Sequence, residues 1–133
     1  MEDIAAYFRH GDRLAQHLGI ELLSVEQGSA QARMAVRDQH LNSLGAVHGG
    51  AIFALADYAF AAACNSYGTV AVAINVSISF VQAVTGGTLI AEALETSRNP
   101  RLATYTVRVT DEPGQLVAIF QGMAYRKKDP LPM

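Results

Sequence analysis

Apolar and polar residues change their spacing several times along the chain, and each change predicts an element. From Ile4 to Leu18 the apolar positions are Ile4, Ala5, Phe8, Leu14, Ala15 and Leu18, broken at Gly11. That helical spacing with a break predicts a short, interrupted surface helix laid over something larger and stopped by Gly19. Ile20 to Gln27 and Ala30 to Val36 read as two strands joined at Gly28-Ser29, which supports a tight turn. In the second strand Ala32, Met34 and Val36 alternate with Gln31, Arg33 and Ala35, so one face is buried. Arg37 to Val47 is a loop holding His40, Asn42 and Gly45. Between Gly49 and Gly68 polarity almost vanishes, which predicts a helix apolar on every side and enclosed by the rest of the protein.

Four strands follow: Val70 to Val81, Thr88 to Thr96, Leu102 to Thr110 and Leu116 to Arg126, separated by Gly86-Gly87, Asn99-Pro100 and Glu112-Pro113-Gly114. In the first, Val70, Val72, Ile74, Val76, Ile78 and Phe80 form one face, with Asn75, Ser77 and Ser79 on the other. Leu116 to Tyr125 is apolar on both faces and reads as central in the sheet. A hairpin, one long apolar helix and four strands with short turns predict an α+β domain in which an antiparallel sheet wraps around a helix. The expected organisation is one domain over residues 1–133, with a helical segment at 1–18 and a frayed basic tail at 127–133.

Composition narrows the class. At 133 residues, 50% apolar and with a net charge of -2, the chain has the make-up of an ordinary globular domain and not of a nucleic-acid coat. Its single cysteine, Cys64, excludes an intramolecular disulfide and fits a reducing compartment. The Met-Glu-Asp-Ile start lacks the features of a secretory signal, and the longest apolar run carries Asp57 and is too short to span a bilayer. A cytoplasmic protein with neither nucleic acid nor membrane as partner is expected.

Two features of the apolar helix point to chemistry. An unpaired carboxylate is costly to bury, so Asp57 among alanines and phenylalanines calls for a use. At the helix start, Gly49 and Gly50 offer backbone N–H groups without partners, reinforced by the helix dipole and open to close approach. Such donors suit the oxyanion of a thioester or ester, while Asp57 can serve as general base or as nucleophile. Eight positions separate Gly49 from Asp57, about 12 Å of helix, so they cannot meet on one carbonyl from the same helix. Cooperation requires a second subunit with its helix antiparallel, and two-fold symmetry then makes two identical sites.

The stretch His40-Leu-Asn42-Ser-Leu-Gly45-Ala-Val-His48-Gly49-Gly50, followed by Leu55-Ala56-Asp57 and Ala63-Cys64-Asn65-Ser66, resembles the hotdog-fold acyl-CoA thioesterases of the phenylacetyl-CoA (PaaI-like) type. The likeness runs on through Ile78-Ser79-Phe80, Gly87 to Ala93 and Val117 to Gly122. It implies a hotdog fold, in which the Gly49 amide polarises the thioester carbonyl and Asp57 of the facing subunit activates water or attacks. Asn42 would place the water or the thioester, His48 would shape the loop around the acyl group, and Gly50 would line the substrate site. Where some members carry a serine this chain has Ala73, with Asn75 or Ser77 as substitutes. Arg98 and Arg101, flanking the Asn99-Pro100 turn, are candidates for the phosphates of coenzyme A, with Lys127 and Lys128 beside them. Neither a metal nor a cofactor is implied, coenzyme A being part of the substrate, and the family habit is a homodimer assembled further into a homotetramer.

Other residues read more plainly. His10, His17, His40 and His48 lack ligand spacing, so a metal site is not expected. Cys64, deep in the apolar helix, reads as a small hydrophobe. Two rival functions stand beside hydrolysis. One is a hotdog dehydratase of 3-hydroxyacyl thioesters using His48 with a carboxylate; the other is a non-catalytic acyl-CoA binding protein. Phe53, Tyr58, Phe60 and Phe80 are candidate walls for either an aromatic or a medium-chain acyl group.

Overall fold

The computed structural model describes residues 1–133. Two short helices, α1 (Glu2–Gly11) and α2 (Arg13–Leu18), lead into a hairpin, β1 (Ile20–Glu26) and β2 (Ser29–Ala35). The long helix α3 (Gly49–Cys64) comes next, then β3 (Thr69–Phe80), β4 (Thr88–Arg98), β5 (Leu102–Thr110) and β6 (Leu116–Pro130). All six strands form one antiparallel sheet in the order β1-β2-β4-β5-β6-β3, and the sheet curves around α3. This is the α+β hotdog arrangement that the apolar pattern predicts. Gly19 adopts φ 72° and closes α2, as a glycine there can.

Side chains of α3 and of the inner sheet face make the core. Phe60 lies 5.5 Å from Phe120 and 5.7 Å from Tyr105, and Phe53 packs on Phe120 from the other side at 5.5 Å. Leu55, Ala56, Ala59, Ala62 and Ala63 present small or branched surfaces to the strands, so helix and sheet approach closely. At Gly122 on β6 the approach is closest: a Cβ there would fall 2.8 Å from the Phe60 ring and 3.1 Å from Phe120.

Several boundaries and faces differ from the pattern. The hairpin turns on Gln27-Gly28, one residue earlier than Gly28-Ser29, because Gly28 takes φ 81° while Ser29 already pairs with Glu26. Helix α3 ends at Cys64 and not at Gly68. Asn65 folds back to donate its amide to Ala61 O at 2.9 Å while its carbonyl accepts from Ala71 N at 2.8 Å, tying the helix end to β3. Ser66 does the same for the hairpin, donating to Ala63 O and accepting from Gly28 N at 2.8 Å.

Strand β3 does not keep one apolar face. Its pairing with β6 slips between Ala73 and Asn75, so Ile74 is extra, and a one-residue slip exchanges the faces. Ala73 opposes buried Ala124, and beyond the bulge Val76, Ile78 and Phe80 share the inner face with Gly122, Phe120 and Ala118. Val72 opposes Tyr125 on the outer face, and both are exposed. The basic tail is not frayed as far as Pro130, since β6 keeps its pairing to Thr69. Leu131 beyond it is buried, with its N–H on Gly68 O at 3.0 Å.

Replacing Gly122 by alanine would drive a methyl into the Phe60 ring. The expected cost is about 1–3 kcal/mol of unfolding free energy, read from a denaturant titration, with a larger loss than for Gly86→Ala in the open β3–β4 loop.

Candidate active site

The loop between β2 and α3 is built to deliver a helix start. A single 3-10 turn, Asp38–His40, puts His40 in the interior, where its Nδ1 accepts from Arg37 N at 3.0 Å. The proton is then on Nε2, which donates to Leu18 O at 2.7 Å and pins the loop to the end of α2. His40 O in turn accepts from His48 N at 2.7 Å, and Val47 N bonds to Val84 O. His40 is thus a buried support with both ring nitrogens hydrogen-bonded.

Asn42 shapes the next turn. Its Oδ1 accepts from Leu44 N at 2.9 Å and Ala46 N at 3.1 Å, while its backbone N–H bonds to Ala46 O. With the oxygen committed, the amide is fixed in orientation and Nδ2 keeps its two donors without an acceptor in the chain. Gly45 at φ 81° lets the turn close.

His48 is the N-cap of α3, and its Nδ1 accepts from Gly50 N at 2.8 Å. Ala51 and Ile52 bond to His48 O, so among the first amides of the helix Gly49 alone is left without an acceptor in the chain. Its missing side chain matters: a Cβ would lie 3.1 Å from the Phe80 ring, so the ring covers this amide's flank only because residue 49 is glycine. Gly50 is exposed, with its N–H engaged by His48; of the paired glycines only Gly49 presents a donor.

Asp57 lies on the one stripe of α3 that the sheet leaves uncovered, together with Gly50, Phe53, Ala54 and Ala61. The helix is therefore not enclosed on every side, as its composition implied. The stripe follows from curvature: six strands wrap the other faces and the α1–α2 segment covers only part of this one. No donor in the chain reaches the Asp57 carboxylate, and the two ion pairs present, Arg33–Glu21 and Arg98–Glu95, lie elsewhere. Partial burial raises its pKa above the ordinary 3.8, and the negative charge of Asp12 at the start of α2 raises it further. A carboxylate in this state holds a proton more readily than a surface aspartate.

The remaining candidates are distributed. Phe60 is in the core and cannot line a substrate site; Phe53 is half-buried on Phe120, and Phe80 lies over Gly49. Tyr58 borders a cavity of about 250 Å³ with Arg9 and Glu21, and burial pushes its hydroxyl up to about 12. Cys64 is buried and its thiol is likewise pushed up to about 12, which leaves it inert. No three His, Cys, Asp or Glu side chains converge as a metal-ligand set.

Asn75 and Ser77 line an outer-face groove with Thr96, Thr104, Thr106 and Gln121. The β3 bulge sends them to the side opposite α3, so within one chain neither can stand in for the serine that Ala73 replaces. Arg98, Lys127 and Lys128 do come together, in a cavity of about 620 Å³ that also contains Thr69, Asn99, Pro100 and Arg126. Arg101 is exposed and outside it. Arg126 is the member that sequence reasoning missed. It ended the predicted strand, yet β6 runs on and its Nη1 donates to Asn99 O at 2.7 Å, a contact that only strand pairing reveals.

No helix is long and apolar enough to cross a membrane. The family model of the thioesterase superfamily matches residues 44–118, from the loop before α3 into β6. A putative esterase of Archaeoglobus fulgidus is 38% identical over 133 residues, covering 99% of this chain and 86% of the relative. The acyl-coenzyme A thioesterase PaaI of Escherichia coli is 38% identical over 116 residues, covering 86% and 83%. A solved structure of the E. coli PaaI protein from the phenylacetic acid degradation operon superposes with a TM-score of 0.93 at 35% identity, over 97% of this chain and 94% of that one. The match spans the helix start, Asp57 and most of the sheet, and the chain belongs to the thioesterase superfamily as an enzyme of its PaaI-like, hotdog-fold type.

Proposed function

We propose that this chain hydrolyses acyl-coenzyme A thioesters, aromatic or of short to medium chain length, to the free acid and coenzyme A. The observation that carries the reading is the pairing of one free amide, Gly49 N–H, with one unpartnered and half-buried carboxylate, Asp57, on the same helix. The Gly49 N–H receives the oxyanion as water adds to the carbonyl, an interaction worth about 3 kcal/mol per donor in other enzymes. Asp57 takes the proton from that water and returns it to the sulfur as the C–S bond breaks, so that coenzyme A leaves as the thiol and the carboxylate is regenerated. Asn42 Nδ2 holds the water or the thioester, and His48 keeps Gly50 N–H occupied so that the carbonyl has one donor to choose.

Distance makes the active unit a dimer. Gly49 and Asp57 of one helix stand about 12 Å apart, so the carboxylate acting on a carbonyl at Gly49 is that of a second copy, with α3 antiparallel to the first. The uncovered α3 stripe supports this, and so does β3, an edge strand bonded on one side only with Val72, Ile74 and Phe80 exposed. Further pairing into a tetramer and a cytoplasmic location belong to the same proposal. The phosphates of coenzyme A go to the basic cavity of Arg98, Arg126, Lys127 and Lys128, in which Arg101 has no part.

Asp57→Asn is expected to lower thioester hydrolysis by about 10²–10⁴-fold, measured by thiol release over a panel of acyl-CoAs, with an unchanged circular dichroism spectrum. Wild-type rates in that variant refute the assignment. In wild-type protein the acidic limb of kcat/KM should lie above 3.8, since burial and Asp12 both raise Asp57. A carboxyl whose pKa is raised by folding stabilises the fold below its ordinary pKa, and that contribution is lost as pH rises through the folded value. Asp57→Asn should therefore melt at a higher temperature than wild type at neutral pH, the gap closing as pH falls into the ordinary carboxylate range. Sedimentation is expected to show a dimer or larger; a fully active monomer would rule out the shared site.

A further inference from the structure

One side-chain cluster lies outside the Gly49–Asp57 machinery, just past the C-terminal end of α3. Tyr67, half-buried, has the Arg98 guanidinium carbon 4.0 Å from its ring centroid and that of Arg126 at 5.8 Å. Its hydroxyl donates to Glu95, with 3.2 Å to Oε1 and 3.1 Å to Oε2. Glu95 Oε1 also accepts from the buried Tyr105 hydroxyl at 2.8 Å and stands 4.0 Å from Arg98 Nε. Both guanidiniums line the basic cavity with Lys127 and Lys128, and no carboxylate is part of that lining. Four of the ten Lys and Arg in a chain of net charge -2 therefore gather in one place.

Like charges brought this close repel one another unless something holds them. Glu95 compensates only part, since it is shared by two phenol donors and reaches Arg98 at the edge of ion-pair distance. The π face of Tyr67 attracts both guanidiniums without consuming their N–H donors, which is what separates it from a carboxylate partner. Arg126 spends Nη1 on Asn99 O at 2.7 Å, whereas the Arg98 guanidinium, its carbon over the ring, makes no hydrogen bond in the chain; donors left open in this way suit a phosphate, which a guanidinium meets in bidentate fashion.

We propose that Tyr67 is a positioning residue for substrate phosphates: its ring, pinned at the hydroxyl by Glu95, holds Arg98 and Arg126 in place at the wall of the basic cavity. The inference rests on the acyl-CoA reading, because it takes the phosphates of coenzyme A as the anions received there. Glu95 and Tyr105 set the platform from behind, and Lys127 and Lys128 add charge from β6.

The test is calorimetric titration of the intact protein with coenzyme A and, separately, with pantetheine, which lacks the phosphates. Tyr67→Leu is expected to weaken coenzyme A binding about tenfold, Tyr67→Phe about two- to threefold, with losses confined to coenzyme A. Arg98→Gln removes one stacked cation and spares the ring; it is expected to match Tyr67→Leu, and it carries the test if Tyr67→Leu does not fold. A loss of equal size for pantetheine means a merely structural ring and overturns the proposal. Unchanged coenzyme A affinity in Tyr67→Leu or Arg98→Gln, alongside intact thioester hydrolysis, overturns the platform and leaves the proposed activity standing. Tyr67-dependent binding in a protein that releases no thiol from any acyl-CoA has the reverse meaning.

Discussion

The contact on which the structure depends is the seating of α3 in the concave face of the sheet, through Phe53, Phe120, Phe60 and Tyr105 packed tilted or edge-on at 5.5 to 5.7 Å. Aromatic pairs at this spacing add to the burial of their own area, and here they need a residue without a side chain where Phe60 and Phe120 meet β6. Gly122 is that residue. Because the aromatic column is fixed in the sheet, the rotation of α3 about its axis is fixed too. Rotation decides which residues remain on the uncovered stripe, and that Asp57 is one of them.

Both ends of α3 are finished by side chains. At the start, His48 takes the Gly50 amide and leaves that of Gly49, turning a generic helix terminus into a single aimed donor. At the other end Asn65 and Ser66 bind β3 and the β1–β2 hairpin to the helix, which brings Tyr67 beside Glu95 and the β4 end. One helix thus sets two places apart: a free backbone donor at one terminus and a basic cavity beyond the other. A long, extended substrate such as an acyl-CoA suits that separation better than a compact one.

Electrostatics divides the molecule along the same line. Asp57 sits in an acidic, partly desolvated setting with Asp12, where no cation relieves it. Four of the ten Arg and Lys gather elsewhere, in the cavity beside Tyr67.

Periodicity and local chemistry in the sequence were enough to place every strand, the apolar helix and its start, since these depend on neighbours a few positions away. The local roles of Asn42 and His48 depend on near neighbours in the same way, since their side chains bond the loop and the helix start in which they stand. Three things were decided only by tertiary structure. The Ile74 bulge put Val72 on the outer face, apart from Val76, Ile78 and Phe80, a matter of register against β6 that no single strand encodes. Arg126 joined the basic cavity and Arg101 left it, because pairing to Thr69 carries β6 past its apolar run. The uncovered stripe of α3 appeared because a six-stranded sheet can curve around only part of a helix that its composition would bury whole.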